Sequence, residues 1–310
     1  MKLRTELPHT ALKNRIEPND KVLLLGSCFT EHIGEWFSSL WLDTWCNPWG
    51  VLFNPASIAQ SINRCQQAGK YQPELTERGG RFYSFDHHSS LCADSEEALY
   101  AQVHELDARV SRFLNEAKHL LVTWGTAWVY ERQGHIVANC HKAPASEFVR
   151  RRMTVEEIVE AWAPIVDKRH TIFTVSPIRH IGDGLHGNQL SKATLLLAID
   201  QLQERYPDNV EYLPVYELLV DDLRDYRFYA DDLVHPSTLA IEAVKELVSD
   251  CALSPQMLKY IAEATPLAKT LQHRPSDPNA EEYQTLLRET TRKRDALLQR
   301  WGLPMERKTT

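Results

Sequence analysis

The sequence predicts an α/β sandwich built on a parallel sheet. Short apolar runs bounded by turn residues alternate with longer segments whose apolar residues recur at spacings of three and four, the signature of strand–helix–strand units. The chain also has the material for a sizeable core, with 310 residues of which 43% are hydrophobic. It carries no internal repeat and no low-complexity tract.

The strands are expected at 21–26 (KVLLLG), 42–46 (LDTWC), 119–125 (HLLVTWG), 170–175 (HTIFTV) and 210–214 (VEYLP). Between them, residues 95–117 set Ala98, Leu99, Val103, Leu106, Val110, Phe113, Leu114 and Ala117 on one helical stripe. Thr154 followed by Glu157 fits a capping box opening the helix EEIVEAWAPIV. Residues 189–205 place Leu190, Ala193, Leu197 and Leu202 on one side, and Pro236 suits the first turn of a helix reaching Leu247. In open parallel sheets, sites collect beyond the carboxyl ends of the strands. The segments 26–30, 47–54, 125–130 and 176–180 are therefore expected to face one another.

Composition shifts near residue 270. HRPSDPNAEE reads as a linker, and AEEYQTLLRETTRKRDALLQRWG as a polar helix whose Tyr283, Leu286, Leu287, Leu297, Leu298 and Trp301 dock on the domain or on a second subunit. The expected division is a main domain over 1–250 and a helical extension over 251–310, through which a homo-oligomer would form.

Charge narrows the function classes. A formal net charge of −7 argues against a nucleic-acid partner, because phosphates want a basic face. The one dense basic cluster, Arg150-Arg151-Arg152, reads as a solvated loop before a helix. No stretch approaches the roughly 20 apolar residues of a membrane span, so no membrane partner is expected. MKLRTELPHTALKNR lacks the apolar stretch of a secretion signal. The six cysteines show neither CxxC nor zinc-finger spacing, so a reducing, cytoplasmic setting with no metal and no cofactor is expected.

Two places carry chemistry. The strand KVLLLG runs into Ser27 and Cys28 at the start of a helix, whose first amides favour a developing anion. That suits a nucleophile whose own N–H helps hold an oxyanion. An N-cap serine is the simpler role for such a residue taken alone. Far along the chain, YADDLVHPS sets Asp232 three residues before His235, a spacing that lets the carboxylate orient an imidazole. Cys28 is the rival nucleophile, a thiol beside a helix N-terminus.

Serine after the first strand, with aspartate and histidine near the end of the α/β region, resembles the SGNH hydrolases. More narrowly, the chain resembles the GSCFA family. The stretches that carry the likeness are Gly26-Ser27-Cys28-Phe29, with Thr30 in place of the family's alanine, then NPWGVLFNPASIA, TWGTAWVY, VANCHKAP, TVSPIRHIGDG, NQLSKATLLLAID and DYRFYADDLVHPS. The likeness spans roughly residues 2–250. It implies a three-layer flavodoxin-like sandwich with a central parallel sheet. It also implies Ser27 as nucleophile, His235 as base and Asp232 as the orienter, with Cys28 packed beneath the site. Two departures from the broader pattern stand out. Gly125-Thr126-Ala127-Trp128 occupies the place of a Gly-X-Asn-Asp block, so its oxyanion asparagine is missing, and Cys28 stands where aspartate is usual.

The expected oxyanion donors are therefore the backbone of Ser27 and Gly50 with Asn139, or else Asn54 or Asn47. Asn54, Trp128, His87, Arg179 and His180 are candidates for binding substrate. His87 and His88 are otherwise surface or pocket-wall histidines, and two of Trp45, Trp49, Trp124 and Trp128 are expected in the core. The implied activity is a serine esterase removing an O-acyl group, acetyl by preference, from a carbohydrate or other polar metabolite. Acyl transfer by the same site and a non-catalytic binding module are the alternatives.

Overall fold

A computed structural model describes residues 5–305 apart from 68, 70, 276 and 278, with Cys28 described for its backbone alone. In chain order it forms β1 (Val22–Gly26), α1 (Cys28–Ser39), β2 (Thr44–Cys46) and α2 (Pro55–Cys65). A small antiparallel sheet follows, β3 (Leu75–Arg78), β4 (Arg81–Ser84) and β5 (Cys92–Ala93), then α3 (Glu96–Glu116) and β6 (His119–Trp124). A second small sheet comprises β7 (Trp128–Arg132), β8 (His135–Val137) and β9 (Phe148–Arg152). The chain continues through α4 (Val155–Val166), β10 (Thr171–Val175), α5 (Gly184–Arg205), β11 (Val210–Tyr212) and α6 (Val215–Glu217). A π-helical turn, Leu218–Leu223, extends α6 before α7 (Thr238–Ala252), α8 (Pro255–Gln272) and α9 (Glu281–Trp301).

The main sheet is parallel throughout, in the order β11–β10–β6–β1–β2. Among its five strands this is the 2-1-3-4-5 order of flavodoxin-like folds, with the switch point between β1 and β6. Buried on both faces, β1 and β6 are near-continuous apolar runs rather than alternating ones, with His119 and Thr123 as the polar residues of β6. Leu23 and Leu25 pack into a core with α2, α3, α4 and α5. Val22 and Leu24 point the other way, into a core with α1, α7, α8 and α9. That alternation sets the three layers.

The direction of α7 matters for the site. Its last residue, Ala252, accepts from Ile16 N–H at 2.8 Å, and Ile16 lies on the chain entering the amino end of β1. Hence α7 begins at the carboxyl edge of the sheet. So does α1, which follows β1 directly, and both lie on the same face.

The five expected strands are all present, within two residues at each end. β2 is shorter than expected because Leu42 N–H bonds back to Phe37 O and closes α1. The Thr154–Glu157 capping box is formed. Several expectations are corrected. Pro236 lies before the helix, bridging to Tyr229, and Ser237 is the N-cap. Helix α5 buries Ser191, Lys192, Leu195, Ala198, Ile199 and Leu202, whereas Leu190 and Leu197 face out. Arg150–Arg152 belong to β9, where Arg151 pairs with Glu131 and Glu157 and Arg150 with Asp183. The two small sheets are additions that the apolar runs do not announce. The C-terminal helices pack on this chain's own domain, where Tyr260 Oη donates to Leu40 O at 2.5 Å. Among the described residues, no helix is long and apolar enough to cross a membrane.

Candidate active site

The end of β1 is unusually close to β6. Gly26 adopts φ +135°, and a Cβ there would sit 2.1 Å from Thr123 O, so only glycine fits. The approach delivers Ser27 to the N-cap position of α1, with φ −69° and ψ 167°. Its side chain makes no capping bond. The residue is 2% exposed, and its Oγ has no hydrogen-bond partner among the described residues.

Asn47 lies directly after β2 in the left-handed region, φ 44°, a conformation asparagine tolerates better than most residues. Its N–H donates to Leu24 O at 2.9 Å, and its Oδ1 accepts the Gly26 N–H at 2.9 Å. That fixes the amide plane one residue from Ser27. Asn47 Nδ2 is buried and has no acceptor. Two threonines complete the floor. Gly26, Thr123 and Thr174 share one register level across β1, β6 and β10. Two residues earlier on their strands, Leu121 and Ile172 pack in the α1/α7 core, so both threonines face that side. Their hydroxyls are buried and unpartnered too. Four buried side-chain polar atoms without a partner among the described residues therefore gather at this strand edge. Each costs about 1–3 kcal/mol when left unsatisfied, so their clustering singles out the place where a ligand's polar atoms belong.

The Asp232–His235 turn stands before α7. Asp232 Oδ1 accepts the N–H of Val234 and of His235, both at 2.9 Å, and Oδ2 lies 2.6 Å from His235 Nδ1. The backbone and ring donors of His235, with the Val234 amide, hold the carboxyl down to about 2. An ionised Asp232 accepts a hydrogen bond from Nδ1–H, which leaves Nε2 as the acceptor that a general base requires. The two side chains are about half exposed, at 50% and 52%, whereas Ser27 is buried, and Ser27 and His235 are not hydrogen-bonded in this conformation.

The expected oxyanion donors are mostly occupied. Ser27 N–H leans on Thr123 O at 3.3 Å. Gly50 N–H donates to Asn47 O at 2.8 Å. The hairpin over residues 128–137 exists, with its turn at Gln133-Gly134. It carries Asn139 onto Phe85, however, where Nδ2 donates to Ser89 Oγ at 3.1 Å and Oδ1 accepts from His141 N–H at 2.9 Å. Asn54 caps α2, accepting from Ser57 N–H at 2.8 Å. In the turn 125–128, Gly125 and Thr126 donate to Phe53 O, Ala127 to Ser191 Oγ and Trp128 to Thr126 Oγ1. Asn47 is left as the free side-chain donor among the asparagines considered.

The substrate-binding candidates divide. His87 is fully buried, bonded to Arg64 and Ser84 within a network that reaches Asp107 and Trp49, so it lines no cleft. Trp49 and Trp124 are core residues. Trp128 is half-buried under the Arg150 guanidinium, 4.4 Å away. His180 sits beside Gly125 and Phe53; burial first, then the charge of Lys192, pushes its imidazole down to about 4. Arg179 stacks over Tyr229 at 4.2 Å and Tyr226 at 5.3 Å. The Cys28 side chain lies outside the described residues.

Lys192 is a buried cation that the sequence reading missed. It is 1% exposed, and its Nζ donates to Gly125 O at 2.6 Å and Ser176 O at 2.7 Å, joining the carboxyl ends of β6 and β10. Burial lowers its ammonium to about 7. A signal existed, since Lys192 is in phase with Leu195, Ile199 and Leu202 at spacings of three, four and three. No three His, Cys, Asp or Glu side chains among the described residues converge as a metal site.

A sequence profile described as the GSCFA family matches residues 21–247. No curated protein and no solved structure matches the chain.

Proposed function

The chain belongs to the GSCFA family, and on that footing we propose that it is a serine esterase that removes an O-acyl group, acetyl by preference, from a carbohydrate or other polar metabolite. The observation that supports this most is the group of unpartnered buried polar atoms, Ser27 Oγ and Asn47 Nδ2 foremost, at the carboxyl edge where the turn of His235 also lies. Ser27 is the nucleophile. His235 Nε2 takes its proton once the turn closes on the serine, and Asp232 steadies the imidazolium. In place of Asn139, Asn47 Nδ2 donates to the tetrahedral oxyanion, joined by Ser27 N–H as its long bond to Thr123 O yields. The alcohol leaves with the proton from His235. Water then attacks the acyl-serine with His235 again as base, releasing the acid. Apo sites with loose nucleophile–base contacts are common, and the pair tightens in the Michaelis complex.

The open Ser27–His235 contact also suits a second reading, a binding module that holds polar ligands without turning them over. A fluorophosphonate probe separates the two. The esterase reading expects labelling of the parent and of Cys28→Ser, and none of Ser27→Ala. Labelling that persists in Ser27→Ala and vanishes in Cys28→Ser would make the thiol the nucleophile. No labelling in any form, with no turnover of p-nitrophenyl esters or acetylated sugars, would leave the binding module.

A further inference from the structure

We propose that a cavity of about 300 Å³ beside the catalytic turn is the subsite for a negatively charged group of the substrate: a carboxylate, phosphate or sulfate carried on the ester. This deepens the esterase reading and rests on it. The cavity lies between α5, the π-helical turn and the segment after β10, and Arg179, Arg224, Asn188, Tyr216, Tyr226 and Tyr229 line it. Two features give it its chemistry.

First, its two guanidinium groups form no salt bridge among the described residues. Arg179 rests on the faces of Tyr229 and Tyr226, and among the described residues neither Arg179 nor Arg224 has a carboxylate within 4.0 Å. The one acidic residue in the wall, Asp225, is taken by Arg227 at 2.9 Å. In a chain of net charge −7, two arginines outside any salt bridge among the described residues around one hollow offer guanidinium groups to an anion. A guanidinium stacked on aromatic rings still offers its edge N–H groups in the plane, the fork that binds oxyanions bidentately.

Second, the wall is continuous with the catalytic turn. Tyr229 bridges to Pro236, and Ala230 N–H donates to His235 O at 2.8 Å. A substrate whose anionic group meets Arg179 in the cavity would direct its ester along the same loop. A π-helical turn and Arg224 in the left-handed region, φ 43°, shape the far side, both of which are departures from regular helix found preferentially at functional sites.

The experiment compares phenyl acetate with 4-acetoxybenzoate, esters that differ by one carboxylate, in the parent, Arg179→Gln, Arg179→Lys and Arg224→Gln. The ratio of kcat/KM for the anionic over the neutral ester is expected to fall about tenfold in Arg179→Gln, equivalent to about 1.4 kcal/mol. A smaller fall is expected in Arg179→Lys, which keeps the charge and loses the planar fork, and in exposed Arg224→Gln. In parallel, 4-hydroxybenzoate is titrated calorimetrically into Ser27→Ala with and without Arg179→Gln. Saturable binding that requires Arg179 upholds the subsite even if no ester is hydrolysed, in which case the esterase reading alone fails. An unchanged ratio in all variants, an equal loss on both esters, or binding indifferent to Arg179 overturns the subsite.

Discussion

Asn47 Oδ1 accepts the Gly26 amide at 2.9 Å while its Nδ2 stays buried without an acceptor, one residue along from Ser27 Oγ, which is also unpartnered. One half of the side-chain amide is thus held by the residue that precedes Ser27, which fixes the orientation of the other half. Orientation in the free protein is what makes a donor effective toward charge that appears only in the transition state.

Replacing Asn47 by aspartate keeps an acceptor for the Gly26 amide and removes the donor. We expect kcat on the best ester to fall by about 10²–10³, with KM little changed. Asn47→Ala should lose as much activity and a further increment of stability of about 1 kcal/mol for the orphaned Gly26 N–H. Asn139→Ala, whose amide is bonded to Ser89, should stay near the parent rate. Steady-state kinetics with denaturant melts decide it. A parental kcat in Asn47→Asp would remove Asn47 from the oxyanion site.

Gly26→Ala should cripple folding before it touches chemistry. The added Cβ meets Thr123 backbone at 2.1 Å, and φ +135° is open essentially to glycine alone. The neighbour is a carbonyl in the centre of the sheet and cannot swing away. A destabilisation of about 3 kcal/mol or more is expected, from clash and backbone strain together. Urea unfolding measures it; a loss under about 1 kcal/mol would show that β1 and β6 are not in this close approach.

Lys192 makes stability depend on alkaline pH. Its ammonium is lowered by burial to about 7, whereas an unfolded lysine titrates near 10.4. Between those values the unfolded chain binds the proton and the folded chain does not, so this group's contribution to stability rises with pH, by up to roughly 1.4 kcal/mol per pH unit. Below about 7 the penalty for burying the charge is fully present. The neutral amine keeps two hydrogens, enough for Gly125 O and Ser176 O. The stability of the parent minus that of Lys192→Met should therefore climb between pH 7 and 10. A flat difference across that range would mean that Lys192 is not buried in the charge-averse site seen here.

Local chemistry made much of this protein legible in advance. Val22–Leu25 is apolar on both faces because the strand lies inside a parallel sheet, and a run of that kind is visible without knowing its neighbours. Thr154 and Glu157 satisfy each other three residues apart, and Asp232 meets His235 over the same spacing. Each of these contacts closes within one turn of chain, so residue order alone determines it. Where contacts span the chain, residue order was silent or misleading. Asn47 reaches Gly26 across 21 positions, and Lys192 reaches Gly125 across 67. The three asparagines weighed as oxyanion donors look alike in the sequence. Only folding shows that Asn54 caps a helix and Asn139 bonds to Ser89, while Asn47 keeps a free N–H. The buried face of α5 was misphased for the same reason. A lysine counts as polar by composition, and only the two backbone carbonyls brought to it by β6 and β10 make its burial tolerable. The amino-acid order thus determined the strand runs and the contacts that close within one turn of chain, whereas the packing of segments 20 to 70 positions apart decided which polar atoms were left unsatisfied.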